Sequence, residues 1–385
     1  MGLSRIAFAL LASTLAAQTT HFVGGTGFAQ IRDALAIAAP EDVILVQPGT
    51  YAQFDVLVGV TIRAVVPGSV TIAYNPAFAP PGCATTPGCP ATQGPTRFSI
   101  LTGQQAHVVG LRFDSNPVIP FGAPRVEVVG DRVTFDQCEF RGAPQALRID
   151  QAAVHLQDCA VIGTAVVPFA THALHAVDAV VTVVGGSFIG LPGIFALSGG
   201  DGIRLDDCVF QGSGFQATGG PAFGTGFHGL AIRATGGATW ISDATLQNGG
   251  SCGLAPSLQS ARITWATPGC PPGNGSVLGV LRPSPLQIGT TFTLDFRTSP
   301  NGFAAVFANT QLAWNSIGLT SPEPYLALPN VLSAGLFVAG PTGVALASWP
   351  IPNNASLVGQ ACWFQGVTGL SLPFLTSPVA GGIIR

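Results

Sequence analysis

A ten-residue phrase recurs through the middle of the chain, and it limits the possible folds more than any other feature. It runs Val133–Gly142 (VTFDQCEFRG), Val154–Gly163 (VHLQDCAVIG), Val181–Gly190 (VTVVGGSFIG) and Ile203–Gly212 (IRLDDCVFQG), with looser copies starting at Ala106 and Thr239. Positions 1, 3, 6 and 8 are mostly apolar, and positions 4 and 5 mostly hold Asp, Gln or Gly. Alternation broken by a polar pair predicts two short strands around a bend. Successive copies start 27, 21, 27, 22 and 36 residues apart, a length that suits one turn of a coiled chain and is too short for a domain. A unit of that size cannot bury its apolar face alone and must stack on its neighbours.

Composition agrees with many short strands joined by tight turns. There are 50 Gly and 31 Pro, and only 9% of residues are charged. All 15 basic residues are Arg, and the formal net charge of -3 gives no basic footprint for nucleic acid. A mean hydropathy of +0.47 is high, which apolar side chains packed inside stacked coils would explain. Arg5, the apolar run Ile6–Leu15 and the small residues Leu15-Ala16-Ala17 read as a secretory signal over residues 1–17. The run is too short to span a bilayer, and no later stretch is long enough. The expected mature chain starts near Gln18 and is secreted or held at the cell surface.

Export permits disulfides, and the chain has eight Cys. Cys83 and Cys89 fall in a Pro-rich insertion, Asn75–Thr96, and are expected to clip a loop; Cys252 and Cys270 bracket a junction and form the second candidate pair, with Cys362 competing. Cys138, Cys159 and Cys208 hold position 6, which points inward. On adjacent coils Cys138 and Cys159 would stand about 4.8 Å apart, which allows a bond. Parallel Cβ vectors instead favour free buried thiols. Gly186 fills the position between Cys159 and Cys208 and is expected to keep them apart.

Before the repeats, Phe28, Ile31, Leu35 and Ala38 are spaced for one face of a helix that Pro40 ends. A buried strand and a Pro-Gly turn follow, up to Tyr51. The whole stretch Ile31–Tyr51 resembles the entry segment of right-handed parallel β-helix proteins of the pectin-lyase-like superfamily. There an amphipathic helix caps the first coil and covers an edge that would otherwise invite aggregation. The resemblance, with the repeats, covers roughly Thr20 to Leu254. It implies an all-β fold: a right-handed parallel β-helix of about nine coils with an N-terminal helix cap.

After Leu254 the periodicity stops. The expected organisation is a β-helix over 18–254, a linker over 255–275 and a small antiparallel β-sandwich over 276–385. Thr291–Arg297 alternates, Leu336–Trp349 reads as a hairpin around Pro341–Gly343, and Ala361–Gln365 and Gly381–Arg385 read as further strands. The phrases Ile351–Gln365 and Ser377–Arg385 are similar to a C-terminal module that recurs on exported proteins of planctomycete-type bacteria.

The resemblance also bears on activity, because many proteins with this fold cleave or modify acidic polysaccharides by one of three chemistries. Gly130–Leu147 and Leu156–Phe169 look like the central coils of pectin methylesterases, with Gln145 at the oxyanion-supporting glutamine. The aspartate that follows Gly-Thr in that family is replaced here by Ala165, so the general acid is missing. Polygalacturonases are similar in pairing Asp-Asp-Cys with a later Gly-His-Gly. Here Asp206, Asp207 and Cys208 precede Gly226-Phe227-His228-Gly229, and Phe227 breaks the match. Asp206 and Asp207 also hold positions 4 and 5, where other coils place Asp136, Asp158 and Asp243, so turn chemistry explains them without catalysis. Pectate lyases need calcium and an arginine base. Asp178 and Asp201 are the calcium candidates here, with Arg204 beside them, but no spacing demands an ion. His172, His175 and Asp178, three apart, are read as a polar connecting loop. The Gly-rich runs at Gly199 and Gly219 are read as turns.

The expected function is therefore a non-catalytic exported protein, with a polysaccharide or cell-surface partner and no cofactor. The alternative is a divergent lyase or hydrolase using Asp206, Asp207, Arg204 and His228.

Overall fold

The computed structural model describes residues 18–73, 96–114, 125–142, 145–164, 172–193, 198–222, 227–250, 258–261, 264–265, 279–280, 284–310, 312, 332–368 and 375–385. The signal segment, most of the Asn75–Thr96 insertion and Cys83, Cys89, Cys252 and Cys270 lie outside them. Strands dominate the described residues, and the chain divides into two compact units, Thr20–Asn274 and Gly275–Arg385.

In the first unit the chain visits three parallel ladders in rotation. The first ladder holds Asp55–Val56, the leading halves of Thr96–Val109 and Val126–Asp136, then Gln145–Asp150, His172–Val177, Ile203–Asp206 and Ile232–Thr235. The second runs from Thr20–Val23 through Ala153–Gln157, Val180–Val184, Val209–Ser213 and Ala238–Ser242 to Leu258–Ala261. The third is nine-stranded and runs from Gly49–Ala52 to Thr264–Trp265. This is β-helix-like stacking, and it extends into the stretch read as a linker after Leu254.

The repeat is a corner. Position 5 has a left-handed backbone, with φ of 53° at Gln137, 49° at Asp158, 54° at Asp207 and 51° at Asp243. Short polar side chains and glycine tolerate that conformation, whereas β-branched ones do not. The phrases do not all form the same corner, although their shared pattern suggests it. The copies from Ala106, Val133, Val154, Val181 and Thr239 turn from the second ladder to the third, but Ile203–Gly212 turns from the first to the second. Cys208 therefore occupies a different corner from Cys138 and Cys159, and Gly186 has no part in keeping Cys208 and Cys159 apart. All three thiols are buried and free. Burial pushes the Cys159 thiol well up, with Cys138 adding to the effect, and the Cys208 thiol to about 11.

Inside the coils phenylalanine rings form a column. Phe113 and Phe140 stack at 5.1 Å, and Phe135 meets Phe140 edge-on at 5.0 Å and Phe98 at 5.2 Å. The helix is shorter than its spacing predicts, Ile31–Leu35, because Phe28 forms a bridge with Val23 that holds the preceding backbone extended. Ile31 and Ala34 are buried in the core. The middle strands of the second ladder, Ala153–Gln157, Val180–Val184 and Val209–Ser213, are buried on both sides. His107, Thr134, His155, Thr182 and Gln211 alternate with the ladder's core residues, stand in one row and are all buried.

The second unit holds two antiparallel sheets. Phe292 and Trp349 from one pack on Phe337 and Phe364 from the other, with Trp349 stacked on Phe364 at 4.7 Å. The expected hairpin at Pro341 is not one. Leu332–Val338 pairs with Phe303–Asn309, while Val344–Pro350 pairs with Thr291–Arg297 in the other sheet. Two connections cross between the sheets side by side, tied by Thr298 N–H to Gly343 O (2.9 Å) and Ala339 N–H to Gly302 O (2.8 Å).

Candidate functional site

The outward side of the first ladder carries a dense cluster of polar side chains. Register places Arg148, His175, Arg204 and Arg233 in one row across four coils. Two positions on, Asp150, Val177, Asp206 and Thr235 form a second row. Neighbouring strands lie about 4.8 Å apart, so each row repeats its groups at that interval.

His175 is central. Gln145 Nε2 lies 2.9 Å from its Nδ1, and Asp206 Oδ2 lies 2.8 Å from its Nε2. A neutral ring thus accepts from Gln145 and donates to Asp206. Arg204 Nε also donates to Asp206 Oδ2, at 3.1 Å, and the Thr235 hydroxyl donates to Oδ1. Burial raises the Asp206 pKa, but the hydrogen bonds from Thr235 and His175 and the Arg204 charge outweigh it, so the carboxyl sits below its ordinary value.

Next to it Asp201 is buried. Its carboxylate accepts from Arg233 Nε (2.7 Å) and Nη2 (3.2 Å) and from Leu230 N–H (2.8 Å). That fork raises the Arg233 pKa. His172 Nδ1 accepts from the Asp201 N–H at 3.0 Å, which places the ring proton on Nε2. Burial, reinforced by Arg204, His175 and Arg233 against the opposing charge of Asp201, lowers the His172 pKa to about 4, so the ring is neutral near pH 7.

His172 and His175 lie on a strand and not in the expected loop. They reach the same side because Ala173 and Leu174 between them both turn into the core. Asp178 sits apart at the corner, with φ 48°. Among the described residues no three His, Cys, Asp or Glu side chains are grouped to hold a metal ion.

The four residues of the catalytic alternative are divided. Arg204 and Asp206 belong to the cluster. Asp207 is the corner residue, and its Oδ1 lies over Gly236 of the next coil, where an added Cβ would stand 1.9 Å away. His228 is exposed on a connection between the third and first ladders. Its Nδ1 accepts from Ala222 N–H at 3.0 Å, and its ring covers Gly250. The Gly-rich runs are not turns. They are extended legs stacked backbone to backbone, as in Gly220 N–H to Gly200 O (2.8 Å) and Gly229 N–H to Gly220 O (2.8 Å). A Cβ on Gly220 would stand 1.8 Å from Leu191 O, so only glycine fits that approach.

The chemical consequence is specific. A general base needs a free lone pair within reach of a substrate proton. The Nδ1 lone pairs of both histidines are engaged, and Asp206 already accepts three donors. The arginine edges, Thr235 and the outer carboxylate lone pairs remain able to meet hydroxyl groups. The chain matches no family model and no curated protein. Among the described residues no helix is long and apolar enough to cross a membrane.

Proposed function

We propose that this is an exported right-handed parallel β-helix protein that binds a polysaccharide along the outer side of its first ladder without cleaving it, with a small β-sandwich appended. The observation that carries the reading is the row Arg148–His175–Arg204–Arg233, whose partners leave hydrogen-bonding edges while the His175 Nδ1 lone pair is engaged by Gln145. A sugar ring is comparable in length to the strand interval of about 4.8 Å, so a linear chain can meet equivalent groups on successive coils. Such planar polar groups suit hydroxyl recognition. The apolar run after Arg5 supports export. A glycan array tests the reading. Signal above a blank control, weakened in Arg204→Gln, is expected, and signal equal to the control rejects it.

A second reading is a divergent lyase or hydrolase. Arg204, Asp206 and His175 do converge, which favours it. It requires release of new reducing ends that Asp206→Asn abolishes with the fold intact.

A further inference from the structure

The charges on this face are matched one to one by short, directional contacts. Arg148 donates Nε to Asp150 Oδ2 (2.7 Å) and Nη2 to Oδ1 (3.2 Å). Arg233 makes the same fork on Asp201, at 2.7 and 3.2 Å. Arg204 holds Asp206 through Nε at 3.1 Å. His172, within the same cluster, is neutral near pH 7. Three guanidinium groups therefore meet three carboxylates, and the arginines of the row leave no surplus cation for a polyanion. A uronate bound at the open guanidinium edges would require a net positive charge that Asp150, Asp201 and Asp206 already cancel.

A hydroxyl carries no such requirement. It accepts from a guanidinium edge and donates to a carboxylate lone pair without disturbing either fork. An apolar platform stands at the rim as well. Phe227 is 80% exposed. Its N–H is held by Ser198 Oγ (3.1 Å), and its carbonyl accepts from Gly199 N–H (2.8 Å). It lies three residues before Leu230, whose N–H bonds Asp201. An exposed aromatic ring on a backbone held from both sides offers the C–H face of a pyranose a surface to stack on.

We infer that the first ladder takes a neutral, hydroxyl-rich polysaccharide, with Phe227 stacking on a ring at one end and the Arg148–Arg233 row bonding hydroxyls along it. This rests on the polysaccharide-binding reading above and narrows it. Affinity electrophoresis of the full chain tests it, in gels containing a cellulose-type glucan, a mannan, a xylan or polygalacturonate, at low and high salt. Retardation by a neutral gel, unchanged by salt, is expected. Phe227→Ala and Arg204→Gln each weaken it about tenfold. Phe227→Ala changes an exposed side chain and leaves folding intact, so it remains informative if Arg204→Gln perturbs the coil. Retardation by polygalacturonate alone, lost at high salt, overturns the neutral class while leaving polysaccharide binding in place. Neutral binding that neither variant weakens overturns the placement on this face. No retardation in any gel overturns both readings.

Discussion

Two histidines in the buried row of the second ladder make stability depend on pH. Burial lowers the His155 pKa to about 3, against a raising effect of Gln157 and a small lowering one of His107. Burial alone lowers His107 to about 4. Each pairs through Nδ1 with a threonine hydroxyl, His155 with Thr182 at 2.8 Å and His107 with Thr134. An unfolded histidine titrates near 6.5. The folded value is depressed, so the unfolded chain takes up the proton first as pH falls. The stability is present above about pH 6.5 and is lost from there toward the folded pKa. At about pH 4.5 the unfolded ring is two units below its pKa, and at about 1.36 kcal/mol per unit each histidine has cost about 2.5 kcal/mol. The perturbation is His155→Asn, whose amide can keep the Thr182 contact. Urea unfolding of both proteins from about pH 7.5 to about pH 4.5 gives two slopes, and their difference cancels every other titrating group. The wild type should lose about 2.5 kcal/mol more than the variant. Equal slopes would refute the reasoning, because they would mean that His155 takes its proton in the folded state.

The remaining predictions concern the corners, the core and the thiols. Gly236→Ala must adopt φ +82° with its Cβ 1.9 Å from Asp207 Oδ1, so urea melts should show a loss of about 2 kcal/mol or more, and none if the corner relaxes freely. Phe140→Ala removes a ring packed on Phe113 and Phe135 and should cost about 3–5 kcal/mol by the same assay. Cys138, Cys159, Cys208 and Cys362 are buried and free. They should resist a thiol reagent in the native protein and react after unfolding, and rapid native labelling of any of them would contradict their burial.

The coil architecture was legible because its demands are local. Val133, Phe135, Cys138 and Phe140 are all buried, as positions 1, 3, 6 and 8 require. Which corner a phrase occupies was not legible. Both corners ask for a left-handed residue followed by a small inward one, so Asp207–Cys208 and Gln137–Cys138 look alike in sequence while turning between different ladders. The same ambiguity made Asp206 look like a turn residue, although its side chain joins the outward cluster. His172 and His175 read as a loop because an interval of three fits no simple strand alternation, and only a strand with two consecutive inward residues explains it. The Gln145–His175–Asp206 chain spans three coils, with partners 30 and 31 residues apart, and no local pattern marks it. A signal was nevertheless present. Aligning the coils on the corner residues Gln151, Asp178, Asp207 and Gly236 puts Arg148, His175, Arg204 and Arg233 at the same offset.

The most direct test of the account measures retention and cleavage in one sample. The purified chain is incubated with a panel of neutral and acidic polysaccharides, and bound polysaccharide and new reducing ends are both assayed, with and without calcium. The account predicts retention of at least one polysaccharide, no new reducing ends, and loss of retention in Arg204→Gln. Reducing ends above background, or no retention across the panel, would contradict it.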